Sequence, residues 1–274
     1  MLSLDRLIEL ALNEDIHTGD ITTQAVLCAP KQASARLIAK EALVIAGLFV
    51  VEAVFKKLNP EITFTTSLRD GDRVSKGDII ATIQGNAADL LMGERVSLNM
   101  LQRLSGIATV TAAYVRAVQG TKTRIVDTRK TTPGLRELEK YAVRIGGGIN
   151  HRTGLYDGVL IKENHIAAAG GITEAISRAR AYIPHTLKIE IETETLAQVE
   201  EALAAGADII MLDNMGLEEM SRAVSMVKGR IPLEASGGIT LESIRKVAET
   251  GVDIISVGAL THSPRAVDIS MLFV

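Results

Sequence analysis

Tryptophan is absent from this chain. Aromatic residues make up only 3% of its 274 positions, too few for the base-stacking platforms of nucleic-acid binders. One cysteine, Cys28, excludes an intramolecular disulfide and suits a reducing cytosol. No apolar run approaches the roughly 20 residues that a membrane helix needs. The opening Met1-Leu2-Ser3-Leu4-Asp5-Arg6 lacks the basic-then-apolar layout of a secretory signal. Positive charge is not in excess either: the formal net charge is −3, so there is no global basic field to draw in nucleic acid. What remains is a globular protein, expected in the cytoplasm, with no nucleic-acid or membrane partner and enough chain for a sizeable core.

The chain changes character near residue 105. Before it the pattern is α+β. Leu4 to Leu12 reads as a short helix, followed by a polar turn over Glu14 to Asp20. Ala33 to Ala46 is strand-like, and Phe49 to Leu58 is helical and stopped by Asn59-Pro60. Ile62 to Ser67 and Ile79 to Ile83 alternate as strands do, with Asp70-Gly71-Asp72 and Lys76-Gly77-Asp78 as turns around Val74. Asp89 to Ile107 repeats Leu90, Leu91, Val96, Leu98, Leu101 and Leu104 at helical spacing and is expected to cross between domains.

Beyond residue 123 short apolar runs alternate with helices. The runs are Arg124 to Val126, Gly158 to Ile161, Leu187 to Ile191, Asp208 to Leu212, Pro232 to Ala235 and Asp253 to Val257, with helices such as Thr195 to Ala205 and Leu241 to Thr250 between them. Ala205-Gly206 and Thr250-Gly251 are helix stops leading straight into strands. The expectation is an α/β protein with about six barrel strands, fewer than the eight of a complete barrel.

Chemistry gathers at the ends of those strands, where α/β barrels build their sites. The ends read Asp127-Thr128-Arg129-Lys130, Lys162-Glu163-Asn164-His165, Glu190-Ile191-Glu192, Asp213-Asn214, Glu234-Ala235-Ser236-Gly237-Gly238 and Gly258. Arg129, Lys130, His151, Arg152 and Lys162 are too many cations to bury unpaired, since each would cost several kcal/mol. If they converge, their ligand is strongly anionic, with carboxylates, phosphates or both. Ser236-Gly237-Gly238 ahead of a helix, and Gly258 one strand later, suit a phosphate cradle better than two plain turns.

Glu192 and Asp213 are open to two readings: charge balance for Lys130 or Lys162, or magnesium and sugar contacts. Lys188, Glu190 and Glu192 alternate along one strand, so all three could point inward. The five histidines show no zinc spacing: His17 and His262 lie in polar turns, His185 reads as surface, and His165 stays open. The turn around Lys76 looks like the hairpin of biotinyl or lipoyl carriers, but Ser75 and Gly77 flank the lysine where a carrier has apolar neighbours.

These motifs together resemble the quinolinate phosphoribosyltransferases. The resemblance rests on Asp127 to Arg136, Gly146 to Arg152, Leu160 to Ile166, Ile189 to Glu192, Met211 to Asn214, Glu234 to Ile239 and Ser256 to Thr261. The segments Glu14 to Thr23 and Gly93 to Thr109 join them, so essentially the whole chain is covered. The resemblance implies an N-terminal α/β sandwich over residues 1–105, closed by the tail 265–274, and an incomplete α/β barrel over 106–264. It implies that quinolinate and phosphoribosyl pyrophosphate give nicotinate mononucleotide, pyrophosphate and carbon dioxide with magnesium, in NAD biosynthesis.

The same resemblance assigns roles. Arg129, His151 and Arg152 would bind quinolinate, joined by Arg95 from the neighbouring subunit of a homodimer; some members form hexamers. Lys130, Lys162 and Lys188 would serve the phosphates. Glu192 and Asp213 would hold the ribose and the magnesium-pyrophosphate side, magnesium being reached largely through substrate and water. With Lys130 and Lys162 they form the expected catalytic set. Ser236, Gly237, Gly238 and Gly258 would cradle the 5′-phosphate. Rival readings are a molybdenum-operon paralogue acting on another substrate, a nicotinate phosphoribosyltransferase, and a non-catalytic binding or carrier module.

Overall fold

The computed structural model describes residues 3–274, so Met1 and Leu2, part of the segment read for a secretory signal, lie outside the described residues. Helix α1 (Leu4–Ile16) is capped by Ser3, whose hydroxyl accepts from the Arg6 N–H. It runs one turn past the end expected at Leu12, because Ile16 packs with Ile8, Leu12 and Val54. Asp20 then caps a short helix α2 (Ile21–Val26), accepting from the Thr23 N–H, where the sequence showed only a turn. The expected single strand over 33–46 is two, β1 (Gln32–Ala39) and β2 (Leu43–Val44), because each pairs with a different strand.

Helix α3 (Leu48–Leu58) starts after Gly47, whose φ of 105° suits glycine. Strands β3 (Thr63–Thr65), β4 (Arg73–Val74) and β5 (Ile79–Asn86) follow. Lys76 sits exposed in the tight turn between β4 and β5. The long helix α4 spans Ala87–Ala117, ten residues beyond its expected end.

The rest alternates: β6 (Arg124–Val126), α5 (Arg136–Ile145), β7 (Val159–Ile161), α6 (Glu163–Ala169), α7 (Ile172–Tyr182), β8 (Ile189–Thr193), α8 (Leu196–Ala204) and β9 (Ile209–Asp213). It continues through α9 (Leu217–Val227), β10 (Leu233–Ser236), α10 (Ile244–Glu249), β11 (Ile254–Ser256), α11 (Ala259–His262) and β12 (Ile269–Phe273). Thr195 and Gln198 form a reciprocal cap on α8. Gly206 and Gly251 take the left-handed conformation at the expected helix stops.

The chain packs as two units, one holding residues up to Val110, Thr132–Gly146 and Ser263–Val274, the other Thr111–Thr131 and Gly147–His262. The boundary thus falls inside α4, whereas the sequence division ran at 105. In the first unit a four-stranded sheet has the order β12-β1-β5-β3. Leu37 of β1 faces Met271 on one side and Ala81 on the other. Ile83, Phe55 and Leu101 fill the core beside it.

In the second unit six strands run parallel in the order β6-β11-β10-β9-β8-β7. All six positions expected for barrel strands are occupied, and β6 and β7 remain as edges. The order runs one way along the sheet, so the crossover helices lie on one face and the other face turns inward, which buries strand residues whether apolar or acidic.

Candidate active site

The pleat sorts the barrel strands. On β8, Ile189 and Ile191 are fully buried, and Glu190 and Glu192 alternate with them toward the other face. Cross-strand register sets Leu160 beside Glu190, and Met211 beside both Glu192 and Glu234. Leu160, Met211, Glu234, Ser236 and Ser256 all line one cavity of about 760 Å³. Its rim comes from the segments after the strands: Thr128 to Lys130, His151-Arg152, Lys162, Asp213-Asn214, Ser236 to Thr240 and Val257 to Ala259.

Two arginines and two lysines therefore meet one cavity. Arg152 is half-buried and donates from Nη1 to the Gly158 carbonyl at 3.0 Å. Burial, then the neighbouring Arg129 charge, lowers its proton affinity, while Glu190 and Asp157 oppose that. An anion with two negative groups would relieve this arginine–arginine repulsion. Lys162 donates from Nζ to Glu192 at 2.6 Å, so part of the charge-balance reading of Glu192 holds. Asp213 accepts from the Asn214 amide at 2.8 Å, and Asn214 takes a left-handed φ of 54° at the end of β9.

The glycine turns have physical reasons. Gly237 has a φ of 98°, and any Cβ there would collide with the Asn214 side chain. At Gly258 a Cβ would press on His262 and on the Lys130 stem, each at 3.1 Å. The helix expected from Leu241 starts at Ile244, because Ser243 first closes a turn on the Thr240 N–H. After Gly258 the helix, α11, begins at once.

Of the expected site residues, Arg129, Lys130, His151, Arg152, Lys162, Asp213, Ser236, Gly237, Gly238 and Gly258 line the cavity together. Glu192 joins them through Lys162. Lys188 does not: it is exposed and precedes the start of β8, at the end opposite the cavity. Arg95 belongs to the first unit, exposed on α4, and is not among the lining residues. His165 has a local task, accepting the Lys162 N–H on Nδ1 at the start of α6. His262, read as a plain turn residue, lines the cavity from α11.

Beneath the rim lies a group that sequence spacing did not assemble. His151 Nε2 stands 3.0 Å from Glu190 Oε2 and 3.8 Å from Glu234 Oε1. Glu190 and Glu234 are 5% and 2% exposed. Burial, reinforced by the Glu190 charge, pushes the Glu234 carboxyl up to about 8; His151 and a hydrogen bond with Ser256 oppose that. Asp127, fully buried, accepts from the His151 N–H at 2.8 Å and from the Asn150 amide at 2.6 Å, which anchors the 150–152 segment. His151, Glu190 and Glu234 are also the one trio among the described residues whose donor atoms lie close enough to share a metal ion. The sequence placed Glu190 and Glu234 among the strand-end groups and let Glu190 point inward, but carried no signal that joins them to His151.

Residues 20–105 match the quinolinate phosphoribosyl transferase N-terminal domain, and residues 107–272 match its C-terminal domain. A probable nicotinate-nucleotide pyrophosphorylase [carboxylating] of Bacillus subtilis is 49% identical over 98% of this chain and 93% of its own length. A quinolinate phosphoribosyltransferase [decarboxylating] of Nicotiana tabacum is 42% identical over 98% of this chain and 81% of its own. The solved nicotinate-nucleotide pyrophosphorylase of Francisella tularensis superposes with a TM-score of 0.95 at 42% identity, covering 99% of this chain and 96% of that one.

Proposed function

The chain belongs to the quinolinate phosphoribosyltransferase family, decarboxylating pentosyltransferases of NAD biosynthesis, and on that premise we propose that the barrel cavity joins quinolinate to the phosphoribosyl group of phosphoribosyl pyrophosphate. The observation that carries this reading is the meeting of Arg129, Lys130, Arg152 and Lys162 around one cavity that also holds two glycine turns. A pyridine dicarboxylate and a multiply charged phosphorylated donor are the ligands such a site would hold.

Arg129 and Arg152 take the two carboxylates, and charge-assisted bonds fix the ring plane. Lys130 and Lys162 take phosphate oxygens. Ser236, Gly237, Gly238 and Gly258 leave room for the 5′-phosphate to approach the backbone. The pyridine nitrogen attacks the anomeric carbon as the bond to pyrophosphate breaks. The ring carbon beside the nitrogen then loses carbon dioxide, keeps the electron pair beside the pyridinium charge, and takes a proton. No enzyme nucleophile is needed, so positioning and electrostatics dominate.

The donor set of Glu192 and Asp213, two half-buried carboxylates at adjacent strand ends, fits magnesium held mainly through pyrophosphate and water. When bound, magnesium would spread the charge of the departing pyrophosphate. We include a homodimer in the proposal, with Arg95 reaching the cavity of the second copy. No helix among the described residues is long and apolar enough to cross a membrane.

The test is product formation from quinolinate, phosphoribosyl pyrophosphate and magnesium, with nicotinate in a parallel reaction. Nicotinate mononucleotide and carbon dioxide from quinolinate alone is the expected result. Turnover of nicotinate, or of neither pyridine by folded protein, would overturn it.

A further inference from the structure

The two buried acids under the arginines have no part in the chemistry above, and both face His151. The Arg152 backbone N–H donates to His151 Nδ1 at 2.7 Å. That ring nitrogen is therefore an acceptor, and the proton of a neutral imidazole sits on Nε2. Nε2 faces Glu190 at 3.0 Å, close enough to donate. Behind it Glu234 Oε1 lies 3.8 Å from the same Nε2, and its buried carboxyl feels the Glu190 charge. The buried acids of β8 and β10 thus converge on one imidazole, which in turn holds the backbone of Arg152.

A metal ion is a poor occupant of this trio. Metal on Nε2 with Nδ1 already accepting would leave the imidazole with no proton at all. Arg129 and Arg152 would also repel a dication in the same cavity.

We propose that Glu190, backed by Glu234, is a positioning residue: it locks the His151 imidazole, and through it the backbone of Arg152, in the geometry that binds quinolinate, without touching substrate itself. The inference rests on Arg152 lying at the quinolinate carboxylates. Two buried acids on β8 and β10, either side of β9, are otherwise a burden, since apolar residues of like volume commonly leave a fold as stable or more so. Glu190 also offsets the charge that Arg129 imposes on Arg152 before substrate arrives. The ring of His151 is then a spacer between an acid and a backbone amide.

The experiment compares Glu190→Leu and Glu190→Gln with the parent protein, with His151→Ala as control. Glu190→Leu should keep or raise the melting temperature and raise the KM for quinolinate about tenfold or more, leaving the KM for phosphoribosyl pyrophosphate unchanged. Glu190→Gln, whose carbonyl still accepts from Nε2–H, should restore most of the quinolinate affinity. In the parent protein, ¹⁵N spectra of labelled histidine should show His151 protonated on Nε2 and bare on Nδ1.

A His151 proton on Nδ1 overturns the proposal even if Glu190→Leu does not fold. An unchanged quinolinate KM in Glu190→Leu overturns it too, as does a rise in both KM values with a falling melting temperature. Stoichiometric zinc binding that Glu190→Gln abolishes would make the trio a metal site instead. If His151→Ala leaves the quinolinate KM unchanged, the placement of quinolinate beside this segment fails first.

Discussion

Arg129 and Arg152 repel each other at the cavity, and that tension makes a dianion welcome. Truncating either should leave one carboxylate unmatched, at about 2 kcal/mol or more, or on the order of thirtyfold in the quinolinate KM. Steady-state kinetics of Arg129→Ala with each substrate varied checks this; the pyrophosphate substrate should be affected less. Glu234 has a separate signature in stability. Its folded carboxyl lies above the ordinary 4.5, so the native state keeps a proton that the unfolded chain has released. Stability should therefore fall as pH rises from about 4.5 to about 8. Glu234→Gln removes that penalty, so its melting temperature should exceed the parent's at pH 8 and match it near pH 5, as read by thermal melts across that range. Gly237→Ala introduces both a clash with Asn214 and a strained φ, so the turn after β10 should move and the KM for phosphoribosyl pyrophosphate should rise.

Elements in the first unit are held by contacts distant in sequence. Asp70 accepts from the Gly47 and Leu48 N–H groups at 2.9 and 3.1 Å, capping α3 from a turn more than twenty residues later. Tyr141 donates to the same carboxylate at 2.6 Å; burial and that bond raise the phenol above its ordinary range. Asp70→Ala should cost about 1–2 kcal/mol, as lost caps do, measurable by urea unfolding. The tail strand β12 covers the edge of β1, with Ile269 and Met271 buried. Each of those side chains stabilises by roughly 1.5–3 kcal/mol. The tail also crosses α4 at Gly106, where a Cβ would meet the Arg265 carbonyl. Removing residues 265–274 should thus lower the melting temperature and leave β1 as a sticky edge, seen as aggregation on light scattering.

At the scale of the whole molecule, the proposed dimer makes one prediction that a monomer cannot. Arg95→Ala and Arg129→Ala subunits, each weak alone, should regain activity when mixed under exchange conditions, because one of the two shared sites would then carry both arginines. No recovery in mixed dimers verified by mass would sink the shared site. The cavity's cations also predict that the KM for phosphoribosyl pyrophosphate rises with ionic strength, since screening weakens the pull on a multiply charged ligand.

Sequence alone determined what depends on neighbours a few residues apart. The six barrel strands were legible because parallel strands covered on both faces must be apolar runs, and the helices because their stripes repeat at 3.6. Gly206 and Gly251 marked helix ends because a left-handed residue is needed there. The cationic rim was legible because strand ends carry the sites of such folds. The full length of α4 was not, because Thr109 and Val110 are weak helix formers. Packing holds that turn instead, with the Thr109 hydroxyl accepting from the Val44 N–H. Only tertiary structure decided that Lys188 stands away from the cavity, that Asp70 caps α3, and that Glu190, Glu234 and His151 meet. These are contacts between residues tens of positions apart, and burial plus hydrogen bonding selects them only once the sheet has brought its strands together.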